Sequence, residues 1–340
     1  MPADGQRRRR RGRVRPDHRR GDAPGGRRHD RARAADDLSV KTALLVNPAS
    51  ANGKTGRRWP ELARAAHAAG LRGEAIFSER PGQLGELARE AADEGAELLV
   101  VFGGDGTMHE VVQGIAGRDG VEVAVVPRGT GWDFARTHKI PKRLADALRI
   151  AVDGEARPFD LGRATYRVES ADESAWFANA GSVGMSGAVA AKANGTTKAL
   201  GGKASYLIAL GAVFSRWKNV ELDVKVDGEE RSGLMEDVIV ALGRYQAGGM
   251  MVTPDAEPDD GLFDVLLIKD ATRLEVLREI PRIYKGTFLP HPKAEVLRGR
   301  VVEVTAPAPL PVQLDGEQPG TAPVHFEIAP AAIRLRVPLS

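Results

Sequence analysis

From Val40 onward the apolar residues follow two successive patterns. In the first, short continuous apolar runs alternate with stretches at helical spacing. "KTALLVNP" reads as a buried strand ending at Asn47–Pro48, and "RRWPELARAAHAAG" as a helix that stops at Gly70. "GEAIFSE" predicts a strand and "GQLGELAREAADEG" a helix ending at Gly95. "ELLVVFGG" and "VEVAVVP" predict further strands, and "TMHEVVQGIAG" and "KRLADALRIAVDG" further helices. Apolar strands alternating with helices over short loops imply a parallel sheet covered on both faces. Ligands on such sheets bind beyond the carboxyl ends of the strands. Three turns fall at those ends: Asn47–Pro48, Gly103–Thr107 and Pro127–Asp133.

Near Phe159 the period shortens. "VELDVKVDGEE", "LMEDVIVALG", "GLFDVLLIKD", "GRVVEVTAP", "LPVQLDGE" and "VHFEIAP" alternate apolar and polar positions between turn residues. This predicts an antiparallel, sandwich-like second domain. Two helical stretches interrupt it, "KASYLIALGAVFSRWK" and "RLEVLREIPRIYKG". The expected organisation is an α/β nucleotide-binding domain over residues 39–158 and a β-sandwich over 159–328, a two-domain α+β chain. Residues 329–340 are placed to return to the first domain. The interface between the two domains is a natural place for a cleft.

Composition narrows the chemistry. The chain has 340 residues and no cysteine, which excludes disulfides, zinc–thiolate sites and thiol nucleophiles. Residues 1–37 carry 13 arginines and 6 aspartates, a balance of +7, against +3 for the whole chain, so the other residues carry −4. The first 38 residues have no apolar periodicity and are expected to form a disordered Arg-rich tail. Such a tail could also act as a polybasic arm toward anionic lipid. Without interleaved aromatics, specific nucleic-acid binding is not expected. No apolar h-region follows the arginines, and the longest relevant apolar run, "YLIALGAVF", is far short of a membrane span.

Gly103-Gly104-Asp105-Gly106-Thr107 follows a strongly β-forming run and opens a helix. Backbone N–H groups at a helix start bind phosphate, and glycines allow close approach. The spacing does not satisfy the GxGxxG fingerprint; phosphate binding is the favoured reading of this stretch, and a tight strand–helix turn capped by Asp105 is the alternative. "NPASANGKT" imitates a Walker A ending, but Pro48 stands where its first glycine belongs. Lys54 in that loop could still meet phosphate. "PRGTGWDFARTHKIP" is a second glycine turn at a strand end, with Thr130 as a phosphate donor and Asp133 as a helix cap. The acidic loop "TPDAEPDDGLFDV" suits a hard cation at Asp260 without EF-hand spacing. Asp-Gly-Glu occurs at Asp227–Glu229 and again at Asp315–Glu317, each an ordinary hairpin turn that local sequence does not rank.

Seven segments in order, "NPASANGKT", "GGDGTMHEV", "PRGTGWDFAR", "FDLG", "FANAGSVG", "PDAEPDDGLFDV" and "LDGE", resemble the diacylglycerol kinase catalytic-domain family. That family includes bacterial lipid kinases and the sphingosine and ceramide kinases. The resemblance implies an NAD kinase/diacylglycerol kinase-like α/β domain followed by a sandwich, with the active site between them. It implies ATP contacts at Asn47, Ser78, Gly103, Gly104, Asp105, Gly106, Thr107, Met108, His109, Gly129, Thr130 and Gly131. It implies catalytic roles for Asp105, in a magnesium–phosphate network with Asp160 nearby, and for Glu317 as general base. A second magnesium ion would sit at Asp260 with the carbonyls of Glu257 and Leu262.

The implied activity is ATP- and magnesium-dependent transfer of a phosphoryl group to a lipid hydroxyl, diacylglycerol-like in kind. The implied setting is cytoplasmic, with transient contact at the inner membrane surface, and a homodimer is compatible with it. Tyr206 and Trp217, flanked by Lys203, Arg216 and Lys218, suit an interfacial helix, the alternative being a helix packed on the sandwich. Two positions depart from the family's pattern: His109 and Trp132 stand where asparagine is usual. Trp132 could stack on adenine. The rival readings are an NAD kinase, which shares the GGDGT turn, and a nucleotide- or lipid-binding protein without turnover.

Overall fold

The computed structural model describes residues 40–129, 131–194 and 202–339. The Arg-rich tail and Thr130 lie outside the described residues, as do the side chains of Lys203 and Tyr206. The chain begins β1 (Thr42–Val46), α1 (Ser50–Arg57), α2 (Trp59–Ala68), β2 (Gly73–Phe77), α3 (Gln83–Asp93), β3 (Leu98–Gly103), α4 (Asp105–Ile115) and β4 (Glu122–Pro127). α5 (Asp133–Thr137) and α6 (Leu144–Asp153) follow. The antiparallel part comprises β5 (Glu155–Val168), β6 (Ala171–Phe177), β7 (Ala180–Gly184), β8 (Val220–Val226), β9 (Glu229–Ala241), β10 (Tyr245–Gln246), β11 (Met250–Met251), β12 (Phe263–Lys269), β13 (Ala294–Gly299), β14 (Val301–Thr305), β15 (Pro311–Leu314) and β16 (Glu317–Val337). Between its strands lie α7 (Met185–Asn194), α8 (Gly202–Phe214) and α9 (Arg273–Ile283).

β2, β1, β3 and β4 pair in parallel, in that order. Their side chains alternate between two buried faces, as period-two geometry requires. Leu45, Leu99 and Val101 pack against Leu84 and Ala88 of α3 and Met108, Val111 and Val112 of α4. Val46, Val100 and Phe102 pack on the other side against Leu62 and Ala66 of α2 and Leu148 of α6. Both faces being covered explains why these strands read as unbroken apolar runs.

β16 joins the two halves. Its Arg334–Leu335 pair in parallel with β4, while the same strand runs antiparallel to β5, β14 and β15. The sheet therefore runs without a break from the parallel strands into β15, β7, β9, β12 and β13. β8 and β14 close a sandwich around Phe177, Phe263 and Phe326, whose rings stack or meet edge to face at 5.8 Å. The sandwich predicted from the alternating pattern is present. Its hydrogen-bonded continuity with the parallel sheet was not predicted, because local periodicity carries no information on which edges meet. Among the described residues no helix is long and apolar enough to cross a membrane.

Candidate active site

The ends of β1, β3 and β4 meet in backbone-to-backbone contact. A Cβ on Gly104 would stand 2.7 Å from the Gly129 Cα, and one on Gly129 would stand 2.6 Å from the Gly104 Cα. Only glycine fits at either place. Thr107, buried in the first turn of α4, accepts at Oγ1 from Asn47 Nδ2 at 3.0 Å and from the Gly104 N–H at 3.3 Å. Asn47 Oδ1 in turn accepts from the Ala49 N–H at 3.0 Å. The following segment, Ser50–Arg57, is not a regular helix: Ala51, Asn52 and Gly53 all have positive φ, and this fold-back brings the loop over the strand ends.

Asp105 turns toward the second glycine loop. Its Oδ1 accepts from the Phe134 N–H at 3.1 Å, and the backbone at Asp133 and Trp132 also donates to it. A Cβ on Gly131 would stand 2.5 Å from Asp105 Oδ2, so any larger residue there would push the carboxylate aside. Burial raises the Asp105 pKa, the backbone N–H bonds oppose this, and Asp315 adds to the rise; the net direction is upward. Asp133 is pushed up to about 6, first by burial and then by Asp105. It accepts from the Gly248 N–H at 2.7 Å and faces Arg136 at 3.4 Å.

The third component is the hairpin between β15 and β16. Leu314 pairs with Glu317, and the two loop residues Asp315 and Gly316 have φ of 51° and 96°, as a type I′ turn requires. Asp315 accepts from the N–H groups of Ala178 at 2.8 Å, Asn179 at 2.9 Å and Ala180 at 3.0 Å. It also meets His109 Nδ1 at 3.3 Å. Burial works to lower the His109 pKa, but the hydrogen bond and charge of Asp315, joined by Glu317 and Glu110, carry it upward. Glu317 is thereby brought to the glycine turn: a Cβ on Gly106 would stand 3.9 Å from its Oε1. The other Asp-Gly-Glu forms the same kind of turn, with φ of 46° and 92°. There Asp227 accepts from the N–H groups of Arg300 and Val301, and Glu229 pairs with Arg231.

These parts surround a cleft of about 890 Å³. Of the residues singled out in the sequence, Asn47, Ser78, Gly104, Asp105, Gly106, Thr107, Met108, Gly129, Gly131 and Glu317 line it. Gly103 ends the buried strand behind it, and His109 stands behind it on Asp315. Asp160, Glu257, Asp260 and Leu262 are not on its wall. Asp160 instead accepts from Gly261 N–H at 2.7 Å and Ala331 N–H at 2.8 Å, fastening the acidic loop to β16. Sequence reading missed Asp315, Glu110, Ser186 and Gln313, all of which line the cleft. For Asp315 the local signal was the Asp-Gly turn, and for Glu110 its place in "GGDGTMHEV"; Ser186 and Gln313 had none.

Residues 41–164 match the model of the diacylglycerol kinase catalytic domain, and residues 179–337 match that of the YegS C-terminal NAD kinase beta sandwich-like domain. The chain belongs to the diacylglycerol kinase catalytic-domain family. Its class of activity is that of a lipid kinase. A protein named diacylglycerol kinase from Staphylococcus carnosus (strain TM300) is 26% identical over 290 residues, 85% of this chain and 92% of the relative. One from Staphylococcus aureus (strain MRSA252) is 26% identical over 85% of this chain and 90% of its own length. The crystal structure of a diacylglycerol kinase from Bacillus anthracis str. Sterne superposes with a TM-score of 0.66 at 20% identity, covering 88% of this chain and 97% of that one. A yeast NADH kinase complexed with NADH reaches 0.50 at 10% identity, over 88% and 84%. At these identities the solved structures bear on the fold alone.

The two departures from the family's asparagines have different structural consequences. His109 makes the ion pair with Asp315 described above. Trp132 takes a left-handed backbone, φ 66°, a conformation that asparagine tolerates better than tryptophan. Its ring packs against the α/β core, with the Arg136 guanidinium 5.3 Å and the Lys142 ammonium 5.7 Å from its centre. It is not among the residues that line the cleft, although its neighbours Gly131 and Asp133 are. In the acidic loop, Asp260 Oδ1 accepts from the Leu262 N–H at 3.0 Å and Oδ2 pairs with Arg298. Nearby Asp264 is pushed up to about 6, chiefly by burial, and its Oδ2 is buried without a hydrogen bond. That orphaned oxygen among acids suits a cation, but a cation on Asp260 would have to displace Arg298. Among the described residues no three His, Cys, Asp or Glu side chains converge as a ligand set.

Proposed function

We propose that this chain is an ATP- and magnesium-dependent kinase that transfers the γ-phosphoryl group of ATP to the hydroxyl of a diacylglycerol-like lipid. The observation that carries this reading is the position of Glu317 against Gly106, a carboxylate facing a helix start beyond the strand ends. A helix start favours phosphate oxygens. Residues 39–158 would hold the nucleotide, with Asn47, Ser78, Gly104, Gly106, Thr107, Gly129 and Gly131 around its phosphates. Residues 159–328 would present the lipid, and the end of β16 belongs with the first group.

In the reaction, Glu317 takes the proton of the acceptor hydroxyl as its oxygen forms the new bond to the γ-phosphorus. The bond from that phosphorus to the β–γ bridging oxygen breaks, and ADP leaves. Asp105, pushed up by burial and by the charge of Asp315, and Asp133, pushed up by burial and by the charge of Asp105, fit a hard cation between them and the phosphates. When bound there, magnesium supplies neutralisation of phosphate charge. Exposed Ile208, Leu274, Leu277 and Tyr284 on and beside α8 and α9, with Arg216 and Lys218 near them, support contact of this face with a membrane surface.

The test is transfer of label from radiolabelled ATP across a panel of lipid hydroxyls and NAD. Label on a diacylglycerol-like lipid is expected. Glu317→Gln should lower turnover by about 10²–10⁴-fold with nucleotide affinity unchanged. Label on NAD alone would replace this reading with an NAD kinase. No label on any acceptor would leave a binding protein without turnover.

A further inference from the structure

β9 and β12 pair regularly from Ala241–Asp264 to Asp237–Ile268, but the next pair is Met235–Lys269. Glu236 is the extra residue of a β-bulge, a device that re-aims a side chain. It lines a cavity of about 230 Å³ that shares no residue with the cleft. Glu236 is 3% exposed, and its Oε2 is buried without a hydrogen bond. Burial, with no cation opposing it, pushes this carboxyl up to about 7. The same cavity is lined by Trp217, whose indole Nε1 is also buried without an acceptor. An orphaned acid and an orphaned donor thus line one small pocket.

The rest of the lining narrows what could satisfy both. Phe214 and Trp217 contribute aromatic surface, which attracts cations. Asn219 Nδ2 is taken up by Asp270 Oδ1 at 2.7 Å and the Ala271 carbonyl at 3.0 Å. Arg273, exposed at the rim, donates to the Trp217 carbonyl at 3.1 Å and has guanidinium donors suited to a phosphate. A bare metal ion is a poor fit, since no trio of ligating side chains is found among the described residues. The volume is too small for a nucleotide or an acyl chain.

We propose that this cavity binds a small primary ammonium carrying an acceptor oxygen a few bonds away, the chemistry of an ethanolamine or phosphoethanolamine group. The ammonium donates to Glu236 beside the aromatic rings. The oxygen accepts from Trp217 Nε1, and a phosphate, where present, meets Arg273. The group could be free in solution or belong to a phospholipid head. Exposed Leu274, Arg216 and Lys218 nearby suit an approach from a bilayer.

Full-length protein at pH 8 is titrated with ethanolamine, O-phosphoethanolamine, glycerol and tetramethylammonium, followed by calorimetry. It is also sedimented with phosphatidylcholine vesicles with and without phosphatidylethanolamine. Saturable binding of a primary ammonium or of phosphatidylethanolamine vesicles is expected, weakened at least tenfold in Glu236→Gln and measurably in Trp217→Phe. Binding of the soluble compounds alone identifies a free ligand; binding of the vesicles alone identifies a lipid head. Binding of glycerol or of tetramethylammonium as tight as that of ethanolamine overturns the primary-ammonium assignment. The absence of saturable binding from either source overturns the site, as does equal affinity in a folded Glu236→Gln. Trp217→Phe supplies the same comparison if Glu236→Gln does not fold.

Discussion

His109 Nδ1 lies 3.3 Å from Asp315 Oδ2, and this pair ties the helix that follows the glycine turn to the hairpin that carries Glu317. The link has a pH signature. The folded pKa of His109 is raised above its ordinary 6.5. The stability it adds is therefore fully present below that value and is lost as pH rises through the folded pKa. A charge-assisted bond of this kind contributes about 2 kcal/mol. His109→Gln should lower the thermal midpoint most at pH 6, and the gap from the parent protein should close toward pH 9. A gap that stays constant over pH 5.5–9 would mean that the imidazole acts through shape alone.

The two glycine loops make a sharper structural prediction. Gly104 and Gly129 meet through backbone, so an added methyl group has no flexible side chain to displace. Overpacking typically costs about 1–3 kcal/mol, and backbone contacts belong at the upper end. Gly104→Ala and Gly129→Ala should each destabilise by that amount. Each should also weaken nucleotide binding by more than tenfold, since relief requires the loops to part. Gly211→Ala is the control, because a Cβ there meets nothing within 4 Å. Equal nucleotide affinity in Gly104→Ala would show that the loops do not need to touch.

How much of this was legible beforehand differs by residue. The Gly103–Thr107 turn was legible because an apolar run precedes it and a helical pattern follows it, so its place at a sheet end needed no long-range information. The alternating segments of the sandwich were legible for the same reason. Asp315 was not. Its neighbours show only an Asp-Gly turn, and its three N–H partners come from residues 178–180, more than 130 positions away. The bulge at Glu236 was equally hidden, since "LMEDVIV" reads as a strand whether or not one residue is extra. Trp132 was recognised as unusual, but the packing that turns its ring away from the cleft depends on Arg136 and Lys142 meeting it in space.

Trp132 lends itself to a discriminating substitution. Trp132→Asn relieves a left-handed backbone position, a gain of about 1 kcal/mol. It also forfeits the packing of a half-buried indole, a loss of about 2 kcal/mol, though the ring's Nε1 is itself buried without a partner. The two effects nearly offset, so stability should change by no more than about 1 kcal/mol. ATP affinity, measured by calorimetry, should stay within about twofold, because the ring does not line the cleft. A tenfold loss of affinity would put the indole on the nucleotide after all.

The buried acids predict the direction of the overall pH dependence. Asp133 is pushed from 3.8 to about 6, Asp264 to about 6 and Glu236 to about 7, each chiefly by burial. For a carboxyl whose folded pKa is raised, the folded state holds more protons than the unfolded state between the two values. Stability must then fall as pH rises through that interval. Glu275, held down to about 2 by Lys293 and its Thr272 cap, acts in the opposite sense only below about pH 4.5; above that it is ionised in both states and adds no slope. His138, lowered to about 3 by burial, works the other way up to pH 6.5, but it is one group against three acids. The thermal midpoint should therefore decline from pH 4.5 to 7.5, and Asp133→Asn should flatten part of the decline. A cation bound among these carboxylates prefers their ionised form. Magnesium with nucleotide should raise the midpoint more at pH 8 than at pH 5, and Asp133→Asn should reduce that gain at pH 8. A magnesium effect that is the same at both pH values, or unchanged in Asp133→Asn, would remove this carboxylate from the cation's surroundings.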